Sequence, residues 1–241
     1  FTLLLRGEFV IILLFSIFYL IYFNKSYLNY AIIILVFSTI LISPYIVRNY
    51  INTGKPHIIN SAGYALWKGN NQLSKVEGYG NPLHPDNRLY WPQVKEFDQL
   101  YKKLDDLKKD REYEVNRDRV FKTEAIENII SNKKKYFILY IKKILSFYFV
   151  DTQSSLQNYY SPTHILPVLL FATLSIPGII IALIKRNNYR IFYMFLMLGL
   201  LTFLLSIFFI LPRYKISIIS FQILFSLFFI EYIIKNLNKK K

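Results

Sequence analysis

In 241 residues, hydrophobic side chains make up 54% and aromatic ones 18%, and the formal net charge is +15. The apolar residues gather into long runs, which excludes an ordinary soluble domain and points to a membrane protein. There is no cysteine, so disulfides and thiolate metal sites are excluded; His57, His84 and His164 form no ligand motif, so neither a metal nor a cofactor is expected. Residues 49–135 hold 16 Lys/Arg and 12 of the 15 Asp/Glu, a net of +4, whereas the remaining 154 residues carry 14 basic and 3 acidic groups, a net of +11. Basic caps on apolar segments give this pattern, while a nucleic-acid surface would put the excess on a soluble face.

Phe1 to Leu5 reads as the stump of a helix, broken by Arg6-Gly7-Glu8. The chain opens inside an apolar run, with neither a basic n-region nor a cleavage site, as expected of a segment whose N-terminal part lies upstream. Residues 9–23 form an apolar segment that reaches about 22 Å as a helix, short for a bilayer unless its flanks contribute. Residues 28–47 make a better span, with no charged side chain in twenty residues.

The apolar run turns polar at Arg48-Asn49-Tyr50. Pro44 lacks a backbone donor and is expected to disturb the helix just before that exit. Gly54, Pro56, Gly63 and Gly69 then predict a loop. Such a loop, carrying Arg48, Trp67, Asn70 and Asn71 at a membrane surface, offers a cation, an interfacial aromatic and amide hydrogen bonds to an anionic lipid head group. Singly, Arg48 could snorkel at a helix end and Trp67 could belong to an aromatic belt.

Val94, Phe97, Tyr101, Leu104 and Leu107 fall at helical spacing, predicting an amphipathic helix over 93–109. A second is predicted over 113–132, with Phe121, Ala125 and Ile129 on one side. Pro82, Pro85 and Pro92 suit an irregular connection before them. In 136–150, nine Leu/Ile/Phe/Val residues favour insertion by roughly 3–5 kcal/mol, while Lys142 and Lys143 oppose it by roughly 5–7 kcal/mol. The expectation is an amphipathic helix lying in the interface, with Lys142, Lys143 and Ser146 on its wet side. Spans are predicted at 165–184, 191–211 and 216–234; in 191–211 the fifteen Leu, Ile and Phe residues favour insertion by roughly 4–9 kcal/mol.

Lys185, Arg186 and Arg190, and the lysines of the tail, should be cytoplasmic by the positive-inside rule. Counting back, 49–135 is then external, provided 136–150 does not cross. The expected fold is an all-α polytopic membrane protein of about five transmembrane helices, with one interfacial helix and a largely helical external loop region. Its parts are membrane helices in 1–48, the external region 49–135, the interfacial helix 136–150 and a three-helix membrane part in 151–241.

Pro44-Tyr45-Ile46-Val47-Arg48-Asn49-Tyr50, followed by Gly63-Tyr64-Ala65-Leu66-Trp67-Lys68-Gly69-Asn70-Asn71, resembles bacterial polytopic glycosyltransferases of the GT-C class. These are relatives of protein O-mannosyltransferases and of the lipid A aminoarabinose transferase. They typically show Pro-Trp-x-x-Arg-Asn-Tyr and Gly-x-Asn-Leu-Trp-x-Gly-Asn-Asn elements; Tyr45 and Ala65 depart from these patterns. The run Glu114 to Ala125, leading into 136–150, is also similar to this class. So is Arg213-Tyr214-Lys215, which stands where the family often carries Arg-Tyr-Arg at the start of its last helix.

The resemblance implies the C-terminal half of an enzyme of the bacterial cytoplasmic membrane. Such an enzyme moves a sugar from a polyprenyl-phosphate donor to a glycan, lipid or protein acceptor at the outer face. Inverting transfer needs a base for the acceptor proton and cations for the departing phosphate. The resemblance assigns substrate contacts to Arg48, Asn49, Tyr50, Trp67, Asn70, Asn71, Arg213, Tyr214 and Lys215, with Arg6 as a further cation. Arg48 and Arg213 are expected to clamp one phosphate through charge-assisted hydrogen bonds. The family's catalytic carboxylate lies in its first external loop, upstream of this chain; Asp86 and Asp151 are external carboxylates but not expected bases. Alone, this part is therefore expected to be inactive.

Two cations in the short external link 212–215 run against the positive-inside trend, and anionic phospholipid head groups would also compensate them. A non-catalytic membrane protein that binds lipid phosphates therefore stays open as an alternative. A transporter is disfavoured because 28–47, 165–184 and 191–211 hold no ionisable group of the kind transport pathways use.

Overall fold

The computed structural model describes residues 9–58, 61–77, 95–151, 161–186 and 188–238. These residues fall into two compact units. The first runs to Ser74 and resumes from Lys95 to Tyr136; the second takes the strap 75–77 and everything described from Phe137 onward. The chain is an all-α polytopic membrane protein; among the described residues, four helices are long and apolar enough to cross a bilayer. Helix α1 (Phe9–Phe23) is apolar but shorter. Arg6, the stump 1–5, Asp86, His84 and the three prolines between Asn81 and Gln93 lie outside the described residues.

In the first unit, α1 is followed by a 3-10 turn, Lys25–Tyr27, capped by the Asn24 side chain, which accepts from the Ser26 amide. Helix α2 then runs unbroken from Leu28 to Thr53. This corrects two expectations: Pro44 does not interrupt the helix, and the polar exit at Arg48-Asn49-Tyr50 is still helical. Pro44 cannot donate to the Ile40 carbonyl four residues back, but the Ser43 hydroxyl does so at 2.9 Å. A freed carbonyl satisfied in this way lets a proline sit inside a membrane helix. Gly54 ends α2 at φ 76°, a left-handed cap that glycine adopts without strain.

The predicted loop over 49–71 is also corrected. Ala62–Gly69 is a helix, α3, despite its two glycines. The Asp118 carboxylate caps it, accepting from the Gly63 and Tyr64 amides at 2.9 Å each. Asp118 belongs to α5 (Tyr113–Ser131), 55 residues from Gly63, so this signal is tertiary. Gly63 is needed because a Cβ there would collide with the Asp118 carbonyl. Helix α4 (Asp98–Asp105) completes the unit, and its core gathers Trp67, Phe97, Leu100, Leu104, Phe121 and Ala125.

Helix α6 (Lys133–Tyr148) crosses from the first unit into the second. Its predicted wet side is inverted in part. Lys142 is exposed, but Lys143 and Ser146 are 1% and 4% exposed, while Phe137 and Leu145 face outward at 66% and 54%. The polar groups turn inward because each finds a partner: Lys143 Nζ donates to the Phe208 carbonyl, and Ser146 Oγ to the Glu77 carboxylate. Buried polar groups with partners carry little penalty, and apolar side chains lose nothing by facing lipid.

The rest of the second unit is built from α7 (Pro162–Arg186), α8 (Tyr189–Ser206) and α9 (Ile216–Asn238). The apolar run predicted over 191–211 therefore leaves the helix at Ser206. Helices α7 and α9 pack closely at Gly178, whose missing side chain lets the Phe225 backbone approach, and Ser226 Oγ donates to the Phe171 carbonyl beside it; small residues are the usual means of helix association in membranes. Gln222 Nε2 donates to the Tyr148 carbonyl and ties α9 to the end of α6.

Candidate functional site

In the first unit, the motif residues divide between structure and surface. Trp67 is 2% exposed and packs among Tyr64, Phe97 and Phe121 with ring centroids 5.0–6.1 Å apart. It is a core residue, not an interfacial one. Asn70 Nδ2 donates to the Leu66 carbonyl, and Asn71 accepts from the Leu73 amide while its own amide N–H donates to Ser74 Oγ. Ser74 Oγ in turn reaches the Lys68 carbonyl, so Asn70, Asn71 and Ser74 together close the C-terminus of α3. Burial lowers the pKa of Lys68 on the same helix, whose ammonium stands 4.3 Å above the Tyr64 ring.

Asn49 Nδ2 donates to the His57 carbonyl at 2.7 Å and so pins the chain where it leaves α2. The Tyr50 ring is exposed; its carbonyl accepts from Arg111, a cation placed where the helix dipole is negative. Arg48 is exposed on the penultimate turn of α2 and has no ion pair among the described residues.

The second unit holds a pocket of about 310 Å³ between the start of α7 and the 3-10 turn Pro212–Lys215 that precedes α9. Val150, Ile165, Val168, Ile216 and Ile219 make its apolar wall, and His164, Arg213 and Lys215 supply its polar groups. The Arg213 guanidinium is exposed, beside the Tyr214 ring. Tyr214 packs edge-on against Phe209 at 5.9 Å. His164 Nδ1 lies 2.7 Å from Ser161 Oγ, which fixes the orientation of the imidazole.

Lys215 behaves differently. It is almost fully buried, its ammonium 2.8 Å from Glu77 Oε1 and 2.9 Å from the Phe149 carbonyl. Glu77 is itself wholly buried and also accepts from Ser146 Oγ at 2.7 Å. Asp151 adds a more distant attraction to the Lys215 charge. Glu77 and Ser146 carry no sequence signal of a site; the two cations in one short link call for a compensating anion, expected from lipid phosphate, and for Lys215 the structure supplies Glu77 instead.

The arrangement in the second unit suits an amphiphile: an apolar chain against isoleucine and valine side chains, and an anion against Arg213. By contrast, the pocket of about 290 Å³ between α1 and α2 is lined by aliphatic residues with Ser38, Thr39 and Ser43, and carries no charge for an anion. No group of His, Asp and Glu among the described residues is placed to hold a metal. No family model, characterised protein or solved structure matches the chain.

Proposed function

We infer that this membrane protein binds a polyprenyl-phosphate sugar and serves its transfer to an acceptor, as the resemblance of its motifs to GT-C glycosyltransferases implies. The observation that carries the reading is the Arg213 pocket, where an aliphatic cleft ends at an exposed guanidinium. In the transfer, the bond from sugar C1 to the phosphate oxygen breaks, and the phosphate keeps the electron pair. The acceptor oxygen bonds to C1 and gives up its proton to a base that the described residues do not identify. A guanidinium is suited to the charge gathering on the departing phosphate, because two parallel N–H donors fit two phosphate oxygens. In this reading the region around α3–α5 faces outward from the cytoplasmic membrane of a bacterium, and the C-terminus faces the cytoplasm.

The test compares binding of farnesyl methyl phosphate and of farnesol to the purified chain in detergent micelles. Arg213→Gln should weaken the phosphate ligand by roughly ten- to a hundred-fold, the yield of one charge-assisted contact, and leave farnesol unchanged. Equal binding of the phosphate by wild type and variant would overturn the reading. Sugar transfer from a polyprenyl-phosphate donor, assayed in membranes of the source organism with either form encoded at the native locus, separates a transferase from a protein that holds lipid phosphates without turning them over.

A further inference from the structure

The turn Pro212–Lys215 and the residues leading into it are held on both sides by one residue. The Glu77 backbone pairs with Ile210 on one side, and the Glu77 carboxylate takes the Lys215 ammonium on the other. Arg213 stands in the middle of that turn. Two cations border the pocket, but the charge of Lys215 is committed internally to Glu77, so one fixed positive charge is left for a ligand.

We propose that Glu77, by neutralising Lys215, tunes the Arg213 pocket to the singly charged phosphodiester of a sugar-bearing lipid and against the phosphomonoester that remains after transfer. The inference rests on the reading of this pocket as a lipid-phosphate site. A lipid-linked sugar phosphate is a diester with one negative charge. The carrier released when the sugar leaves is a monoester, which carries about −1.5 to −2 at neutral pH. A site with one guanidinium balances the diester. It leaves part of the monoester's charge desolvated and unpaired, which is costly in an apolar cleft. With a second free cation the order would reverse, and the spent carrier would be held most tightly. Glu77 is a positioning residue in this scheme: it touches the turn and Lys215, never the lipid.

The experiment measures binding of farnesyl phosphate, a monoester, and farnesyl methyl phosphate, a diester, to the purified full chain at pH 7.5. Glu77→Gln keeps an acceptor for Ser146 and leaves the backbone pairing with Ile210 possible, but it releases the Lys215 charge beside the ligand. The affinity ratio of monoester to diester should rise by about ten-fold, the effect of one added charge-assisted contact. The double variant Glu77→Gln with Lys215→Met removes both charges, a replacement that buried pairs commonly tolerate. It should fold and return the ratio to the wild-type value.

An unchanged ratio in folded Glu77→Gln overturns the proposal. If the single variant does not fold, the double variant decides, and loss of diester binding there would mean that Lys215 itself holds the phosphate. Wild-type protein that binds the diester no better than farnesol would overturn the lipid-phosphate reading itself, and the role of Glu77 with it.

Discussion

Gly178 on α7 lies so close to Phe225 on α9 that a Cβ at that position would collide with the Phe225 carbonyl. The clash would be with backbone, which cannot step aside as a flexible side chain can. Gly178→Ala should therefore force the two helices apart and destabilise the second unit by about 1–3 kcal/mol, the range for overpacking. Gly199 on α8 is the control, since its nearest neighbour to a new Cβ is a Phe203 ring carbon at 3.9 Å. Gly199→Ala should be neutral or stabilising by up to about 1 kcal/mol through helix propensity. Thermal unfolding of both variants in one detergent checks the contrast; a Gly178→Ala protein as stable as Gly199→Ala would refute the close approach.

The junction of α3 with α5 can be broken from either side. Gly63→Ala pushes α3 away from the Asp118 backbone, and Asp118→Ala strips the Gly63 and Tyr64 amides of their acceptors. Loss of such a cap costs about 0.5–2 kcal/mol. Because Trp67 sits in the core at this junction, its fluorescence reports the packing directly. In a Trp91→Phe background, both variants should shift the emission to the red as Trp67 meets water. Emission that stays blue in both would mean that α3 is held by other contacts.

Much of the helical layout was legible because length and composition alone decide whether a segment can span a bilayer. The amphipathic period placed Phe97, Tyr101, Leu104, Phe121 and Ala125 inward, and all five are buried. The candidate site was legible unevenly. Local reading makes Gly63 and Gly69 helix breakers, whereas Asp118 supplies the missing cap from far along the chain. Trp67 reads as interfacial beside an apolar segment, yet α4 and α5 bury it in a core of their own.

Lys143 and Ser146 were misread for a different reason. A polar stripe on a helix is taken to face water, but their partners, the Phe208 carbonyl and Glu77, come from other parts of the chain. Arg213 was legible as an exposed cation at a helix start, and remains one. That Lys215, two residues on, serves a buried ion pair could not be read without knowing where the strap 75–77 runs.

Orientation can be checked chemically, because the chain has no cysteine of its own. Lys109 and Asn188 are both exposed, between α4 and α5 and at the start of α8 respectively. If the basic flanks of α7 and α8 lie in the cytoplasm, as proposed, Lys109→Cys should react with an impermeant maleimide in intact spheroplasts. Asn188→Cys should react only after the membrane is opened. Labelling of both sites alike would put 136–150 across the bilayer, and the reverse pattern would invert the orientation of the chain.

The last prediction concerns Lys143. Burial lowers its pKa from 10.5 to about 7. In the unfolded chain the amine returns to an ordinary lysine value of about 10.4. Between these values the unfolded chain binds more protons than the folded one, so this group makes stability rise with pH. Below about 7 both states are charged, and the cost of burying the ammonium stands in full. The slope contributed by one group reaches at most about 1.4 kcal/mol per pH unit. Lys143→Met deletes the titrating group and also the hydrogen bond to the Phe208 carbonyl, an offset of about 1 kcal/mol at every pH. The sign of the difference at one pH therefore decides little, but its slope is diagnostic. Thermal unfolding of wild type and variant at pH 6.5, 7.5, 8.5 and 9 should show the Met variant losing ground steadily as pH rises. A difference that stays constant across that range would mean that Lys143 keeps an ordinary pKa in the folded protein.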